Sequence, residues 1–351
     1  MARPHHIIKQ LNDQRGGAAI LFVLCLPVLL GFAALAIDLT RINLTRVELQ
    51  NAADAASLAG VHSISDTQPP PGLSDKPYNW SAAAASALDV ARRNFANAAL
   101  IHDALIETGY WNIQNPSLGL RAPGTPGVPA AGDVPAVRVT VAISSSQNNG
   151  PMNLFFAPVL GIAERNVQAS AVAVLPAPSE GTGMFPMVIA SSMFDHYWDS
   201  TTRRPKLDPA TGKPYVIDVG NSYFGGVSGS WATFSTKVSD TPTMLKLIEQ
   251  GNSTALSIGM NTWIPTGVHT SLYDDVPSNK DVAILVVNSV ETGTYQTVTA
   301  IAGFHITGTV KISGKRYIRG NFIDNVLIST TSPGSGNGLP LGVYSPPILV
   351  N

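Results

Sequence analysis

The sequence is poor in charge and has almost no cysteine. Only 13% of its 351 residues are charged, the formal net charge is −1, and Lys and Arg form no dense cluster. Binding to a polyanion needs a basic stripe that releases counterions, so we expect no nucleic-acid partner. The lone cysteine, Cys25, lies within the longest apolar run. It cannot form an intramolecular disulfide and therefore indicates no redox compartment.

The usual signatures of catalysis and metal binding are also missing. The segment Gly226–Ser230 (GVSGS) lacks the final glycine of a nucleophile elbow. Gly308 lies one residue too far from Gly314 and Lys315 for a phosphate-binding loop, and no His-Glu-x-x-His or Cys-x-x-Cys motif occurs. We therefore predict no enzymatic activity, no catalytic residues, no metal and no cofactor. An extracytoplasmic hydrolase whose site is assembled from scattered residues remains an alternative.

The densest group of polar and aromatic side chains is Asp195–Asp199 (DHYWD). It predicts either a weak binding site, with Asp195 and His196 as ligands, or a loop whose aromatic rings cover a β core. Other aromatic and histidine residues have simpler interpretations: Trp231, Trp263 and Tyr273 as core residues, and His5 and His6 as solvated side chains of a short tail.

What the sequence does contain is an uncharged run of 21 residues, Gly17–Ile37, of which twelve are Leu, Ile, Val or Phe. At about 1.5 Å per residue a helix of this length spans roughly 31 Å, close to the thickness of a bilayer's hydrocarbon core. Pro27 lies inside it, and membrane helices tolerate proline. The run predicts one transmembrane helix, with the lipid bilayer as its first partner.

The flanking charges predict the orientation of this helix. Positive residues precede it at Arg3, Lys9 and Arg15, whereas Arg41 and Arg46 follow it beside Asp38 and Glu48. The excess of positive charge before the run favours a cytoplasmic N-terminus. We expect a single-pass protein of the cytoplasmic (inner) membrane with its C-terminal body periplasmic or otherwise extracytoplasmic.

A cleaved signal peptide is the alternative to a retained anchor. Ala34-Leu35-Ala36 has the A-x-A pattern of a cleavage site, and the mature chain would start at Ile37. The product would be a secreted or surface-exposed binding or adhesive module. The apolar run is longer than an ordinary signal sequence, however, and the helical pattern continues through the cleavage site.

Beyond the span, Asp38–Gly60 contains no proline, and no glycine before its last residue, so the helix is predicted to continue as an Ala-rich stalk. Ala52, Ala56 and Gly60 recur every four residues and let another backbone approach closely. This row predicts either packing on the chain's own body or a contact face for another subunit. Asp38 and Arg41, three residues apart, are expected to form an ion pair.

The N-terminal region resembles a known family. Arg15-Gly16-Gly17-Ala18, the apolar span ending Leu35-Ala36-Ile37-Asp38, then Arg41, and the stretch from Leu49 to Gly60 (LQNAADAASLAG) are similar to TadG-like proteins. These, with their TadE relatives, belong to the bacterial Tad group of Flp-pilus assembly proteins. The resemblance covers about residues 15–60.

This resemblance implies a membrane-anchored, non-enzymatic component of Flp/Tad (type IVb-like) pilus assembly or a related secretion apparatus. The implied partners are other pilus-assembly or pilin-like subunits, which the N-terminal helix would contact as it does in minor pilins. The anchor and interaction residues predicted on this basis are Arg15, Pro27, Asp38, Arg41, Gln50, Asn51, Ala52, Ala56 and Gly60.

The rest of the chain predicts an α+β fold in two extracytoplasmic parts. Residues 61–175 are expected to form a small α+β module with a helix over 81–104, a helical segment over 152–162, and strands over 137–143 and 167–175. Residues 176–183 (PAPSEGTG) are the predicted linker to a mainly-β domain over 184–330, and residues 331–351 are expected to be an extended tail. In the second domain we expect one helix over 243–250, a hairpin turning at 313–315, and strands over 187–190, 215–219, 282–287, 297–307 and 326–328.

Overall fold

The structure is a computed structural model that describes residues 15–66, 78–200, 202–220, 222–223, 226–266, 270–324, 326–330 and 341–350. The predictions made for Arg3, His5, His6 and Lys9 and for the first part of the tail lie outside the described residues.

The first element is a single α-helix, α1 (Arg15–Asp66), of 52 residues. At about 1.5 Å per residue it is roughly 78 Å long, more than twice the thickness of a hydrocarbon core. Pro27 lies inside it, and the helix continues on both sides. The predicted continuation of the span into the stalk is therefore confirmed, and the stalk extends six residues beyond Gly60.

The second helix, α2 (Trp80–Arg92), starts as predicted but ends early. The Asn79 side chain accepts a hydrogen bond from the backbone N–H of Ala82 and caps the N-terminus. The predicted continuation to residue 104 is wrong. Asn97 and Ala98 adopt positive φ angles of 51° and 61°, so the chain turns there into a short hairpin between 95–96 and 99–100.

A five-stranded antiparallel sheet lies beneath the two helices. Its strands are β1 (Leu105–Asn112), β2 (Leu120–Arg121), β3 (Asp133–Ile143), β4 (Val167–Val174) and the C-terminal strand (Ile348–Val350). Their order is C-terminal strand–β4–β3–β1–β2. The predicted alternation is confirmed, because one face of β3 and β4 packs beneath the helices through Val137, Val139, Val141, Ile143, Val167, Ala169, Ala171 and Ala173.

The segment between β3 and β4 is not the predicted helix. Met152–Asn153 pairs with Glu164–Arg165 in an antiparallel ladder, and the loop between them contains only a short 3-10 helix, Ala157–Leu160. Gly161 ends this helix in the left-handed region, with φ of 82°. Residues 152–165 are called the apolar hairpin below.

The second domain is built on a seven-stranded sheet, and α3 (Ser191–Tyr197) and α4 (Thr241–Gln250) belong to the same domain. The strands are β5 (Met187–Ala190), β6 (Ile217–Val219), β7 (Gly229–Trp231), β8 (Asn261–Ile264), β9 (Lys280–Val287), β10 (Thr294–Ile312) and β11 (Lys315–Phe322). The sheet order is β6–β11–β10–β9–β5–β7, with β8 paired to the first residues of β10, and in this sheet only β5 and β9 are parallel to each other.

The predicted hairpin and helix of this domain are confirmed. Ser313 and Gly314 have φ angles of 48° and 83° and make the tight turn between β10 and β11. Asp240 caps α4 by accepting a hydrogen bond from the backbone N–H of Thr243. Short ladders complete the described part, joining 180–181 to 256–257, 198–199 to 204–205, 222–223 to 226–227, and 326–327 to 343–344.

The end of the chain joins the two domains a second time. Val343–Tyr344 pairs with the second domain, and the C-terminal strand then pairs with β4 of the first sheet. Between them, Ser345 donates hydrogen bonds from its backbone N–H and its hydroxyl to the Pro176 carbonyl oxygen, each at 3.0 Å. The ring of Tyr344 is buried in the core of the first domain.

Candidate functional site at the membrane exit

Asp38 follows the apolar run directly and is only 2% exposed. Its carboxylate accepts three backbone hydrogen bonds from the apolar hairpin. Oδ1 accepts from Phe155 at 2.8 Å, and Oδ2 accepts from Phe156 at 2.8 Å and from Ala157 at 2.7 Å. A single side chain on α1 thus holds a loop that lies more than a hundred residues later in the chain.

The charge of Asp38 is stabilised where it lies. Burial raises the pKa of this carboxyl, but the three N–H groups and the nearby Arg41 guanidinium together lower it below its usual value of 3.8. Because the pKa is lowered on folding, the carboxylate stabilises the folded state above pH 3.8. This contribution is lost only as the pH falls below that value.

Arg41 also faces the apolar hairpin. Its guanidinium lies 3.9 Å from the centre of the Phe155 ring and donates a hydrogen bond of 3.2 Å to the Asn153 carbonyl oxygen. No salt bridge joins it to Asp38 in the described part of the chain. Instead of pairing with each other, Asp38 and Arg41 each contact the apolar hairpin. The carboxylate of Asp38 is bound by backbone N–H groups, and the guanidinium of Arg41 contacts Phe155 and Asn153.

The small-residue row of the stalk is occupied by the chain itself. Ala52 and Ala56 are fully buried. A Cβ atom on Gly60 would lie 2.9 Å from the Cβ of Ala87 and 3.0 Å from the Ala83 carbonyl oxygen. Of the two predicted roles of this row, the structure shows packing on the chain's own body, because α2 packs against it.

The remaining predicted residues also lie on α1. Gln50 is half-buried and donates to Asp54 Oδ1 at 2.7 Å and to the Ser170 carbonyl oxygen of β4 at 3.3 Å, whereas Asn51 is exposed. Arg15 is the first residue of the helix, and the structure does not describe its side chain. Pro27 belongs to the apolar run, whose described large side chains are exposed throughout. The structure thus brings Asp38 and Arg41 together on one hairpin, and leaves the other polar residues apart.

The cluster at Asp195–Asp199 is not a loop. Its first three residues end α3, and Trp198 is buried with its ring stacked on Phe194 at 5.1 Å. Lys206 Nζ donates to the carbonyl oxygens of Asp195 and His196 and so occupies the helix C-terminus. The aromatic part of the cluster covers the core of the second domain, as one of the two interpretations predicted.

The described residues contain no group of three or more His, Cys, Asp or Glu side chains placed to hold a metal ion. The feature that the sequence interpretation missed is the apolar hairpin. The uncharged run over residues 154–163 (LFFAPVLGIA) is its signal in the sequence, but the same run also predicts a short helix. Its partnership with Asp38 was not predicted.

Two family models match the chain. The model described as "Putative Flp pilus-assembly TadE/G-like" matches residues 16–63, which correspond to nearly the whole of α1. The model described as "Putative Tad-like Flp pilus-assembly" matches residues 59–173, which comprise the end of α1, α2 and the sheet through β4. The N-terminal half of the chain is similar to TadE/G-like and Tad-like Flp pilus-assembly proteins.

The TadG-like region thus coincides with the first domain and its anchor, and neither match extends beyond Ala173. One helix of the described part is long and apolar enough to cross a membrane, and it lies inside this region. The chain is accordingly a membrane protein related to the Flp/Tad pilus. No curated protein and no solved structure matches it significantly.

Replacing Asp38 by Ala in this TadG-like region is expected to release the apolar hairpin without unfolding the domain. The three N–H groups of Phe155, Phe156 and Ala157 lose a charged acceptor, so their amide hydrogen exchange should rise by roughly tenfold or more. Exchange measured by mass spectrometry on detergent-solubilised protein tests this.

Asp54→Ala is the matched control for that substitution, because it also removes a carboxylate from α1 but one that bonds only to its helix neighbour Gln50 and accepts no hairpin N–H. It should leave the exchange of the hairpin unchanged. Unchanged exchange in Asp38→Ala as well would show that the carboxylate does not hold this loop.

Proposed function

We infer that this chain is a non-enzymatic, single-pass component of the Flp/Tad pilus-assembly machinery or of a related secretion apparatus. Its N-terminus would lie in the cytoplasm and its two-domain body on the other side of the cytoplasmic membrane. The partners are other pilus-assembly or pilin-like subunits, which it would contact through the exposed part of α1.

The observation that supports this proposal is that the two parts of α1 have different surroundings. From Ile20 to Ile37 the described side chains are exposed with the single exception of a half-buried Ala34, whereas from Asp38 onward the helix contributes to the core of the first domain. Exposed apolar side chains on a helix of spanning length favour lipid or other membrane helices as neighbours. Since α2 packs against the stalk row at Gly60, we assign contact with other subunits to the span, whose large apolar side chains are exposed.

The continuity of α1 also favours a retained anchor over a cleaved signal peptide. Ala34-Leu35-Ala36 lies in the middle of a regular helix rather than in an extended segment. The intact mass of the mature protein, collected from both the membrane and the soluble fractions, separates the two: the full chain supports the proposal, and a mature start at Ile37 supports the secreted module.

Exchange of the span tests whether α1 contacts other subunits. Replacing residues 18–37 by a Leu/Ala helix of equal length keeps the anchor and removes its specific side chains. We expect unchanged protein level and membrane fraction but a strong loss of pili, counted by electron microscopy of cells in which the variant is the only copy.

The control for this exchange is the same replacement restricted to residues 18–24, the turns farthest from the body, for which a smaller loss is expected. Normal piliation with the complete replacement would show that the span is an anchor and nothing more, and would contradict assembly through this helix.

A further inference from the structure

The apolar hairpin exposes large hydrophobic side chains at its tip. Val159 is 90% exposed, and Phe155, Leu160 and Ile162 are also exposed. Such side chains in one short segment are unusual on a surface that faces water. The stem of the hairpin is different, because Glu164 and Arg165 carry opposite charges and are both exposed.

The hairpin lies alongside the span rather than on the far side of the body. A groove of about 500 Å³ separates the two and is lined on the hairpin by Phe156, Val159 and Leu160. On α1 it is lined by residues of the apolar run from Val28 to Leu35. Gly31, in the middle of this lining, precedes Ile37 by six residues, or roughly 9 Å along a helix. Interfacial segments bury their apolar face about 5–10 Å into a bilayer.

Most backbone N–H groups of the hairpin tip are paired within the protein. Among residues 154–162, in which Pro158 has no N–H, at least seven of the eight remaining N–H groups have a hydrogen-bond partner in the structure. Three of these partners are supplied by Asp38 alone. Each unpaired backbone group costs several kcal/mol in hydrocarbon, so the pairing of these N–H groups lowers the cost of inserting the tip.

The polar residues mark the depth at which insertion would stop. Asp38 and Arg41 lie on α1 directly after the apolar run, and Glu164 and Arg165 lie on the hairpin stem. Arg41 connects the two elements through the Phe155 ring and the Asn153 carbonyl oxygen. The exposed apolar side chains of the hairpin tip thus lie beyond this polar level, as the apolar run of α1 does.

We propose that residues 155–162 insert into the acyl chains of the outer leaflet of the membrane that α1 spans. The inference rests on the retained anchor of the proposed function but not on any role in pili. Two points of insertion fix the body against rotation about the span, which one helix cannot do. Lipid is the occupant of the groove because the lining is continuous with the surface of the span itself.

Fluorescence quenching by lipids tests the insertion. In full-length protein with Cys25→Ser, Val159→Cys is labelled with an environment-sensitive fluorophore and reconstituted into phosphatidylethanolamine/phosphatidylglycerol nanodiscs. Some of the lipids carry a spin label on an upper acyl carbon. We expect a blue-shifted emission and several-fold stronger quenching by these lipids than at the control position.

The control position is Leu118→Cys, labelled in the same background. Leu118 is also exposed, but it lies beyond the Asn112/Asp133 end of the first sheet, whereas the hairpin joins the strands at the Ile143/Val167 end. The length of β3 places roughly 30 Å between the two ends. A label there should be quenched by aqueous iodide and not by the lipids.

Two results would overturn the proposal. A label at position 159 that iodide quenches as strongly as at position 118 would place the hairpin in water. A label shielded from both quenchers would place it against protein, such as a second copy of this chain. The quenching result does not depend on whether the span exchange abolishes pili. The membrane insertion of the hairpin and the role in pilus assembly can therefore fail independently.

Discussion

A chain that starts at Ile37 is expected to fold completely, whereas in a chain that starts at Val61 the first domain is expected to be unfolded. Both lack the transmembrane span, so simple removal of the anchor does not distinguish them. They differ only in the stalk, residues 37–60. If the stalk were a separate handle, its removal would leave a folded body, but the structure makes it the central helix of the first domain.

The size of this effect follows from what the stalk covers. Leu49, Ala52, Ala53 and Ala56 are fully buried in the core of the first domain. Their removal also uncovers the inner face of α2 and one face of β3 and β4, where several valine side chains of β3 are fully buried. Exposing each large apolar side chain costs about 1.5–3 kcal/mol. A few such residues match the whole stability of a domain, about 5–15 kcal/mol.

Thermal unfolding followed by circular dichroism, with limited proteolysis, measures the difference between the two truncations. The chain from Ile37 should melt cooperatively and resist protease, studied in mild detergent because the apolar hairpin is then uncovered. The chain from Val61 should lose protection in residues 78–175. A cooperative first-domain transition in the shorter chain would contradict the packing of α1.

The continuity of α1 has a mechanical consequence for a pilus-related protein. The same helix spans the membrane and forms the core of the body, with no loop between the two parts. A tilt of the span therefore moves the first domain as one piece. The C-terminal strand pairs with β4 and Ser345 with Pro176, so the second domain is tied to that movement at two places.

Local patterns in the sequence were enough to predict much of this fold. The uncharged run, the absence of helix breakers after Asp38, and the alternation of Val137, Val139 and Val141 each depend on neighbouring residues only. The turn at Ser313 and Gly314 is also a local signal. Elements of this kind were predicted correctly because the physical cause and the residue lie in the same short segment.

The features that were not predicted depend on distant parts of the chain. Asp38 binds backbone groups 117 to 119 residues away, and no pattern around Asp38 indicates this. The early end of α2 depends on the turn at Asn97 and Ala98, where Glu48 accepts a hydrogen bond from the Asn97 N–H. The choice of partner for the small-residue row was open for the same reason, since small residues admit any close neighbour.

The packing of the small-residue row on α2 is tested by replacing small residues of the stalk with leucine, first in the row and then on the exposed side of the helix. Ala56→Leu adds three carbon atoms to a fully buried position, and Gly60→Leu must displace the Ala83 carbonyl oxygen and Ala87. Each is expected to destabilise the first domain by about 1–3 kcal/mol. At about 2–4 °C per kcal/mol for a domain of this size, the melting temperature should fall measurably in purified protein.

Ala55→Leu is the matched control, since Ala55 is the neighbouring alanine on the exposed side of the same helix. Its free energy of unfolding should change by no more than about 0.5 kcal/mol. If the row at Ala52, Ala56 and Gly60 contacted another subunit instead, the purified chain would tolerate leucine at Ala56 and Gly60, and only piliation would fail. Destabilisation of the isolated protein by these two substitutions, with normal stability in the control, therefore separates packing within the chain from packing between chains.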